Sequence, residues 1–129
     1  VKPTDDPRAR LAEWITDPKN EAFSGAMVNR LWKHFFAVGL VEPVDDIRAT
    51  NPPSNPALWA ALIKEFVEKK YDLKHLIRTI LLSRAYQLTA ASRPGNEADS
   101  RFYSHYYARR LPAEVLLDAI GQATGVAEE

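Results

Sequence analysis

Apolar residues recur every three to four positions along most of this chain, a period typical of α-helices that bury one face. The strongest segment runs from Glu21 to Val38, where large apolar residues cover more than half of the helix circumference. A surface helix needs only a narrow apolar stripe, so this wide arc predicts a central helix packed on two sides. We expect the helix to end at Gly39, because glycine readily adopts the left-handed conformation of a helix C-terminus.

Capping residues and prolines divide the rest of the chain into further helices. Asp6-Pro7 and Asn55-Pro56 each pair an N-capping side chain with a proline, which suits the first helical turn because no amide hydrogen is needed there. The first helix stops at Asp17-Pro18, and Asn20 is the cap before the central helix. Later segments follow the same logic: Asp72 caps a fourth helix, Ala98 to Tyr107 carries aromatic residues four apart, and Leu111-Pro112 opens a last helix to Ala123.

These boundaries predict an all-α fold. We expect a compact bundle of five or six helices around a central helix (about 21–38), with one ordered Pro-rich loop (about 40–55). The segment from Ser83 to Thr89 either continues the fourth helix or turns away from it. The length of 129 residues suits one core, so we interpret residues 1–129 as a single helical domain. We also expect a fragment of a longer multidomain protein, because the sequence has no initiator Met.

Composition excludes several kinds of function. The 17 Lys+Arg and 17 Asp+Glu give a formal net charge of zero, hence no overall field to attract nucleic acid or anionic lipid. The absence of Cys removes disulfides, thiolate metal sites, a Cys nucleophile and covalent haem attachment from this segment. No apolar run approaches the roughly 20 residues of a membrane span. We therefore expect no cofactor in this segment, no nucleic acid partner and no membrane span.

The histidines do not point to a metal site. His34, His75 and His105 are far apart and lack the close spacing of metal ligands. We expect His34 to be a core or second-layer group and His75 to be solvated. No nucleophile or metal ligand is therefore assigned.

Paired carboxylates occur at Asp45-Asp46 in the loop and at Glu114 and Asp118 on the last helix. Glu114 and Asp118 lie four residues apart, so they would repel each other unless a cation is near. Arg110 stands four residues before Glu114, and Arg30 or Arg109 could also approach. A structural ion-pair network explains this pattern more simply than a catalytic pair.

The aromatic residues suggest a partner surface. Three Trp, five Tyr and five Phe could exceed what one small core buries. We expect Phe36, Trp59 and part of the tyrosine cluster to form an exposed patch of the kind that binds other proteins. The same tyrosines beside Arg109-Arg110 could stack on bases, but their helical spacing favours packing over nucleic-acid binding. Such binding would need Arg109, Arg110, Lys74 and Arg78 on one exposed face.

The motifs together resemble the planctomycete-specific C-terminal domain of unknown function found in large planctomycete cytochrome-c-like multidomain proteins. The resemblance covers nearly the whole chain in order. Its segments are Met27-Val28-Asn29-Arg30-Leu31-Trp32, Phe35, Gly39-Leu40, Asp45-Asp46, Pro53 to Leu58, Leu73 to Arg78, Ser83 to Gln87, Arg109 to Glu114, Asp118-Ala119-Ile120 and Gly125. The chain departs from the family pattern at Asn55, where the family often has His, and at Pro112.

The resemblance implies long, exported parent proteins with a cytochrome-like haem segment upstream, and sometimes carbohydrate-binding modules. It also implies a set of recurring polar positions, which we interpret as one buried or half-buried hydrogen-bond network joining the core helix, the loop and the last helix. These positions are Asn29, Arg30, Asp46, Ser83, Tyr86, Arg109, Arg110, Glu114 and Asp118. If Arg30 belongs to such a network, Arg30→Ala should cost about 3 kcal/mol or more.

Two functional hypotheses remain open. The first is a non-catalytic structural or interaction module that packs against upstream domains of an exported (periplasmic or cell-surface) cytochrome-c-like protein. The second is part of an enzyme acting on extracellular carbohydrate, with a cleft formed by Arg30, Asp46, Arg110, Glu114 and Asp118. Carbohydrate is the possible partner in that case.

Overall fold

Five helices form the regular structure of residues 6–126, the part of the chain that the computed structural model describes. They are α1 (Pro7–Ile15), α2 (Glu21–Phe36), α3 (Pro56–Glu68), α4 (Leu73–Leu82) and α5 (Ala113–Thr124). Within these residues the sole β-type pairing is an isolated bridge between Arg48 and Asn51. The all-α prediction with a central helix is confirmed.

The first four helices begin at the predicted capping residues. The side chains of Asp6, Asn20, Asn55 and Asp72 each accept a hydrogen bond from a backbone N–H in the first turn of α1, α2, α3 and α4, respectively. Each bond satisfies one of the amide groups that a helix N-terminus leaves without an intrahelical partner. Local sequence therefore determines where these helices start.

The core lies where α2, α3 and α4 pack against one another. Its buried side chains come from all three helices and from the segments that follow α2 and α4. They are Val28, Trp32, Phe36, Leu40, Leu62, Ile63, Phe66, Leu76, Ile80 and Tyr103. α1 and α5 contribute no buried residue. The predicted central helix, α2, thus packs against α3 and α4 to form a three-helix core, and α1 and α5 lie outside that core.

α2 ends two residues earlier than predicted. Ala37, not Gly39, adopts the left-handed conformation, with φ of 66°. Gly39 serves a different purpose, because a Cβ at that position would lie 2.6 Å from the Val41 carbonyl oxygen. The backbone of the following loop therefore approaches Gly39 too closely for any side chain.

The helix predicted from Ala98 to Tyr107 does not form. Turns and bends occupy this stretch, and Tyr103 has a positive φ of 57°. The Asp99 carboxylate accepts hydrogen bonds from the backbone N–H groups of Arg101, Phe102 and Ser104. A short acidic side chain that binds nearby amides in this way competes with helix formation, which explains the wrong prediction. α4 also ends at Leu82, since Ser83 is extended (ψ 147°), and the segment to Thr89 turns away.

The prediction that Phe36 belongs to an exposed aromatic patch is wrong. Phe36 is 1% exposed and its ring stacks on Trp32 at 4.1 Å between centroids. Tyr103, Tyr86 and Tyr106 surround the same ring at 5.4, 5.8 and 6.5 Å. Trp59 is half-buried. The rings of Phe36, Trp32 and the three tyrosines pack together instead of covering the surface, because the irregular segment after α4 folds back over the end of α2.

Candidate interaction surface

Asn29 is the best-buried polar residue among the predicted site positions. Its side chain is fully buried, and its Nδ2 donates hydrogen bonds of 2.9 Å to the carbonyl oxygens of Val41 and Val44. Its Oδ1 accepts a bond of 3.1 Å from the Val41 N–H. The amide thus substitutes for the backbone partners that the proline-rich loop cannot supply itself, and holds that loop on α2.

Arg30 and Asp46 lie at the surface near this loop but do not meet. Arg30 pairs with Asp45 at 2.6 Å, and both side chains are more than 60% exposed (61% and 63%). Asp46 pairs with Arg48 at 2.9 Å and accepts a hydrogen bond from Asn51. The expectation of a buried Arg30 is therefore wrong: the residue after Asn29 points outward, since successive helical positions differ by about 100°.

Ser83 and Tyr86 form a small unit at the end of α4. The Ser83 hydroxyl accepts a hydrogen bond of 3.2 Å from the Tyr86 N–H. The Tyr86 ring packs edge-on against Phe35 and Phe36 of α2. This unit fixes the turn that leads the chain away from α4.

Residues 103–109, which we name the tyrosine strap, cap the C-terminal end of α2. The Tyr103 hydroxyl donates to the Gly39 carbonyl oxygen at 2.8 Å and lies 3.0 Å from that of Val38. The Tyr106 hydroxyl donates to the Phe35 carbonyl oxygen at 3.1 Å. The Phe35 carbonyl belongs to the last turn of α2 and those of Val38 and Gly39 to the segment just after it, so these bonds satisfy groups that would otherwise need water.

Arg109 extends the same cap. Its guanidinium donates to the His34 carbonyl oxygen, while the His34 side chain is exposed, contrary to the prediction of a core histidine. A cation at this position also interacts favourably with the negative end of the α2 dipole. Arg109 is thus a helix cap rather than a partner of the carboxylates on α5.

Burial changes the titration of the strap. It raises the pKa of Tyr103 to about 12, because the ionised phenol would lose its hydration in this buried position. Burial also raises the pKa of Tyr107, whose hydroxyl accepts a hydrogen bond from the Tyr103 N–H. Asp99 lies just before the strap, and its carboxylate accepts hydrogen bonds, of which the bond from Ser104 has the largest effect. These bonds hold the pKa of the Asp99 carboxyl well below its usual range.

Arg110, Glu114 and Asp118 do not join any of these groups. All three are exposed, and within residues 6–126 none has an ionic partner. The predicted Arg110–Glu114 pair is absent from the described part of the chain, as is a bond from Arg30 or Arg109 to α5. The nine predicted positions thus separate into the Asn29 contacts, two surface ion pairs, the Ser83 turn, the strap and three unpartnered charges.

The apolar side of α5 is exposed to solvent. At about 100° per residue, Leu116, Leu117 and Ile120 lie on one side, with Glu114 and Asp118 on the other. The three apolar side chains are 48%, 52% and 50% exposed. A helix with this division normally buries its apolar side, so α5 presents an unsatisfied packing surface.

His75 differs from its prediction as well. It is half-buried, and its Nε2 lies 2.6 Å from Glu65 Oε1, which links α4 to α3. No group of three or more His, Cys, Asp or Glu residues within 6–126 has the arrangement of a metal site. Among the same residues, no helix combines the length and the apolar character needed to cross a bilayer.

Comparison with protein families identifies the family of this chain. A family model described as a protein of unknown function (DUF1553) matches residues 7–129. No curated protein matches the chain, and neither does any solved structure.

Proposed function

This chain belongs to the PSD1 family of proteins of unknown function, and on that premise we propose that it is a non-catalytic interaction module. In this proposal it packs against upstream domains of an exported, cytochrome-c-like multidomain protein, the parent that the sequence resemblance implies. The haem of such a parent would be held outside this segment, which contains no Cys.

The exposed apolar side of α5 is the observation that carries the proposal. The core formed by α2, α3 and α4 is filled without any contribution from α5. Leu116, Leu117 and Ile120 remain about half exposed, so docking would bury the rest of each side chain. Complete burial of such a residue contributes about 1.5–3 kcal/mol, so the remaining half contributes about 1 kcal/mol each.

The charges around α5 fit the edge of an interface. Glu114 and Asp118 border the apolar side and Arg110 precedes it, all exposed and without ionic partners among residues 6–126. Charged groups are depleted at the centre of protein interfaces and common at their solvated rim. We infer that these three residues set the orientation of docking rather than its affinity.

The carbohydrate-enzyme hypothesis has less support from the geometry. A cleft requires its arginines and carboxylates to converge on one space. Arg30 is already paired with Asp45 in solvent, and Glu114 and Asp118 lie on a helix outside the core. An interaction role accounts for the same residues and does not require them to converge on a cleft.

A binding experiment with matched charge changes tests the proposal. The separately expressed upstream cytochrome-like segment is titrated by calorimetry with the wild-type chain, Ile120→Asp and Gln122→Asp. Both substitutions add one negative charge to α5, but only Ile120→Asp places it on the apolar side. We expect Ile120→Asp to weaken binding about tenfold or more, or about 1.4 kcal/mol, and Gln122→Asp to leave it nearly unchanged. Equal affinities for the two variants, or no binding by the wild type, would contradict the proposal.

A further inference from the structure

Trp59 occupies an unusual position at the contact of α3 with α2. Its six-membered ring lies against the α2 backbone at Gly25, where an added Cβ would stand 2.7 Å from the Trp59 Cζ2 atom. The indole is half-buried and two surface hollows lie beside it. Trp59 and Glu21 line both hollows. The Trp59 ring therefore lies between the two hollows. It belongs to α3, so this surface is separate from the apolar side of α5.

The two hollows have apolar walls. The first has a volume of about 330 Å³ and includes Ala60 and Val67. The second has a volume of about 410 Å³ and includes Ile47, Pro52 and Pro53 from the loop. These volumes lie at the small end of the range for ligand sites, about 300–1,000 Å³. Each hollow thus suits a side chain or two rather than a whole cofactor.

The charges around the hollows leave one carboxylate without a partner. Lys64 lies 3.8 Å from Glu68, and Arg48 pairs with Asp46 at 2.9 Å. Glu21 has no ionic partner among residues 6–126. It stands in the first turn of α2 and its side chain is exposed. The centre of this surface therefore combines an aromatic ring with a free negative charge.

We propose that the Trp59–Glu21 surface binds a peptide segment through one arginine or lysine side chain flanked by apolar residues. The cation lies at the Trp59 ring and pairs with Glu21, and the apolar neighbours enter the two hollows. The electron-rich face of tryptophan attracts a cation, and Glu21 supplies the opposite charge beside it. A sugar could also stack on the indole, but it carries no cation to pair with Glu21.

A titration with matched peptides tests this site. The probes are the blocked peptide leucine-proline-arginine-isoleucine-leucine and the same peptide with glutamine in place of arginine. Each is titrated by calorimetry into the 129-residue chain as wild type, Glu21→Gln and Glu13→Gln. Glu13→Gln is the control, because it removes the same charge from the exposed side of α1. Trp59→Leu is added, with circular dichroism to verify that the helices are intact.

The expected result is a dependence on both charges. Glu21→Gln should weaken the arginine peptide about fivefold or more while Glu13→Gln leaves it unchanged, and the glutamine peptide should bind as weakly to wild type as to Glu21→Gln. Trp59→Leu should weaken the arginine peptide at least as much. Equal binding of the two peptides, or no effect of Glu21→Gln, would overturn the proposal. So would binding of cellohexaose that needs Trp59 but not Glu21, in the absence of peptide binding. None of these outcomes bears on docking through α5, which Ile120→Asp tests.

Discussion

At the scale of single residues, Asn29 and Arg30 show how burial decides the energetic role of a polar group. They are neighbours on α2, and both were predicted to belong to one network. The structure buries the Asn29 amide against three backbone groups of the loop and leaves Arg30 in solvent with Asp45. Loss of a buried hydrogen-bond partner leaves desolvated groups unsatisfied. When one partner of an exposed ion pair is removed, water solvates the charge that remains.

The neighbouring pair gives a direct stability prediction. We expect Asn29→Ala to lower the free energy of unfolding by about 2–4 kcal/mol, because the Val41 and Val44 carbonyls and the Val41 N–H lose their partner. Arg30→Ala should change it by less than about 1 kcal/mol, which revises the loss expected from sequence. Urea denaturation followed by circular dichroism measures both. A larger loss for Arg30→Ala than for Asn29→Ala would show that our assignment of the buried group is wrong.

At the scale of elements, a non-helical segment caps the C-terminal end of α2. The tyrosine strap supplies donors to the carbonyl oxygens of His34 and Phe35 in the last turn of α2, and to that of Gly39 just after the helix. A tyrosine buries a large ring and still reaches a polar group with its hydroxyl, so one residue both packs the core and caps the helix. The strap therefore connects the packing of Phe36 to the course of the chain that leads to α5.

The raised pKa of Tyr103 predicts alkaline destabilisation. A pKa of about 12 in the folded state, against 10.0 for the free group, means that the fold favours the neutral phenol. Its contribution is complete below pH 10 and is lost as the pH rises toward 12. Between pH 9 and 11 we expect Tyr103→Phe to lose less stability than the wild type, by about 1 kcal/mol.

Tyr86→Phe is the matched control for that measurement. The Tyr86 hydroxyl makes no hydrogen bond within residues 6–126, although its ring packs in the same cluster. Free energies of unfolding in urea at the two pH values give the comparison for each variant. If Tyr103→Phe and the wild type decline in parallel, Tyr103 is not the group responsible.

At the scale of the whole molecule, stability is unevenly distributed. α2, α3 and α4 share the core, and the strap is attached to it through Tyr103. α1 and α5 bury no residue. An isolated helix of 12 residues is marginal in water, since nucleation is unfavourable and few hydrogen bonds repay it. The chain thus combines a stable three-helix unit with two helices that depend on further contacts.

Hydrogen exchange should reveal this division. We expect the amides of α2, α3 and α4 to exchange slowly, at rates set by global unfolding, and those of α5 to exchange much faster through local opening. Mass spectrometry of peptic fragments gives the rates for each helix. Addition of a partner that covers the apolar side of α5 should slow exchange there selectively. Equal protection of α5 and α3 in the chain alone would contradict the division.

The amino-acid sequence by itself determined the five helices that form and the starting points of four of them, but it also predicted a helix from Ala98 to Tyr107 that does not form. Apolar periodicity and the caps at Asp6, Asn20, Asn55 and Asp72 act within a few residues, so no distant contact was needed to predict them. Contacts between distant segments decided the rest. The bonds of Tyr103, Tyr106 and Arg109 to α2 and the residues just after it span 64 to 75 residues. Hydrogen bonds to backbone carbonyls leave no periodic signal in the sequence. Only the tertiary structure could show that Asn29 is buried while Arg30 is exposed, and that the apolar side of α5 is left open, because burial depends on which segments meet.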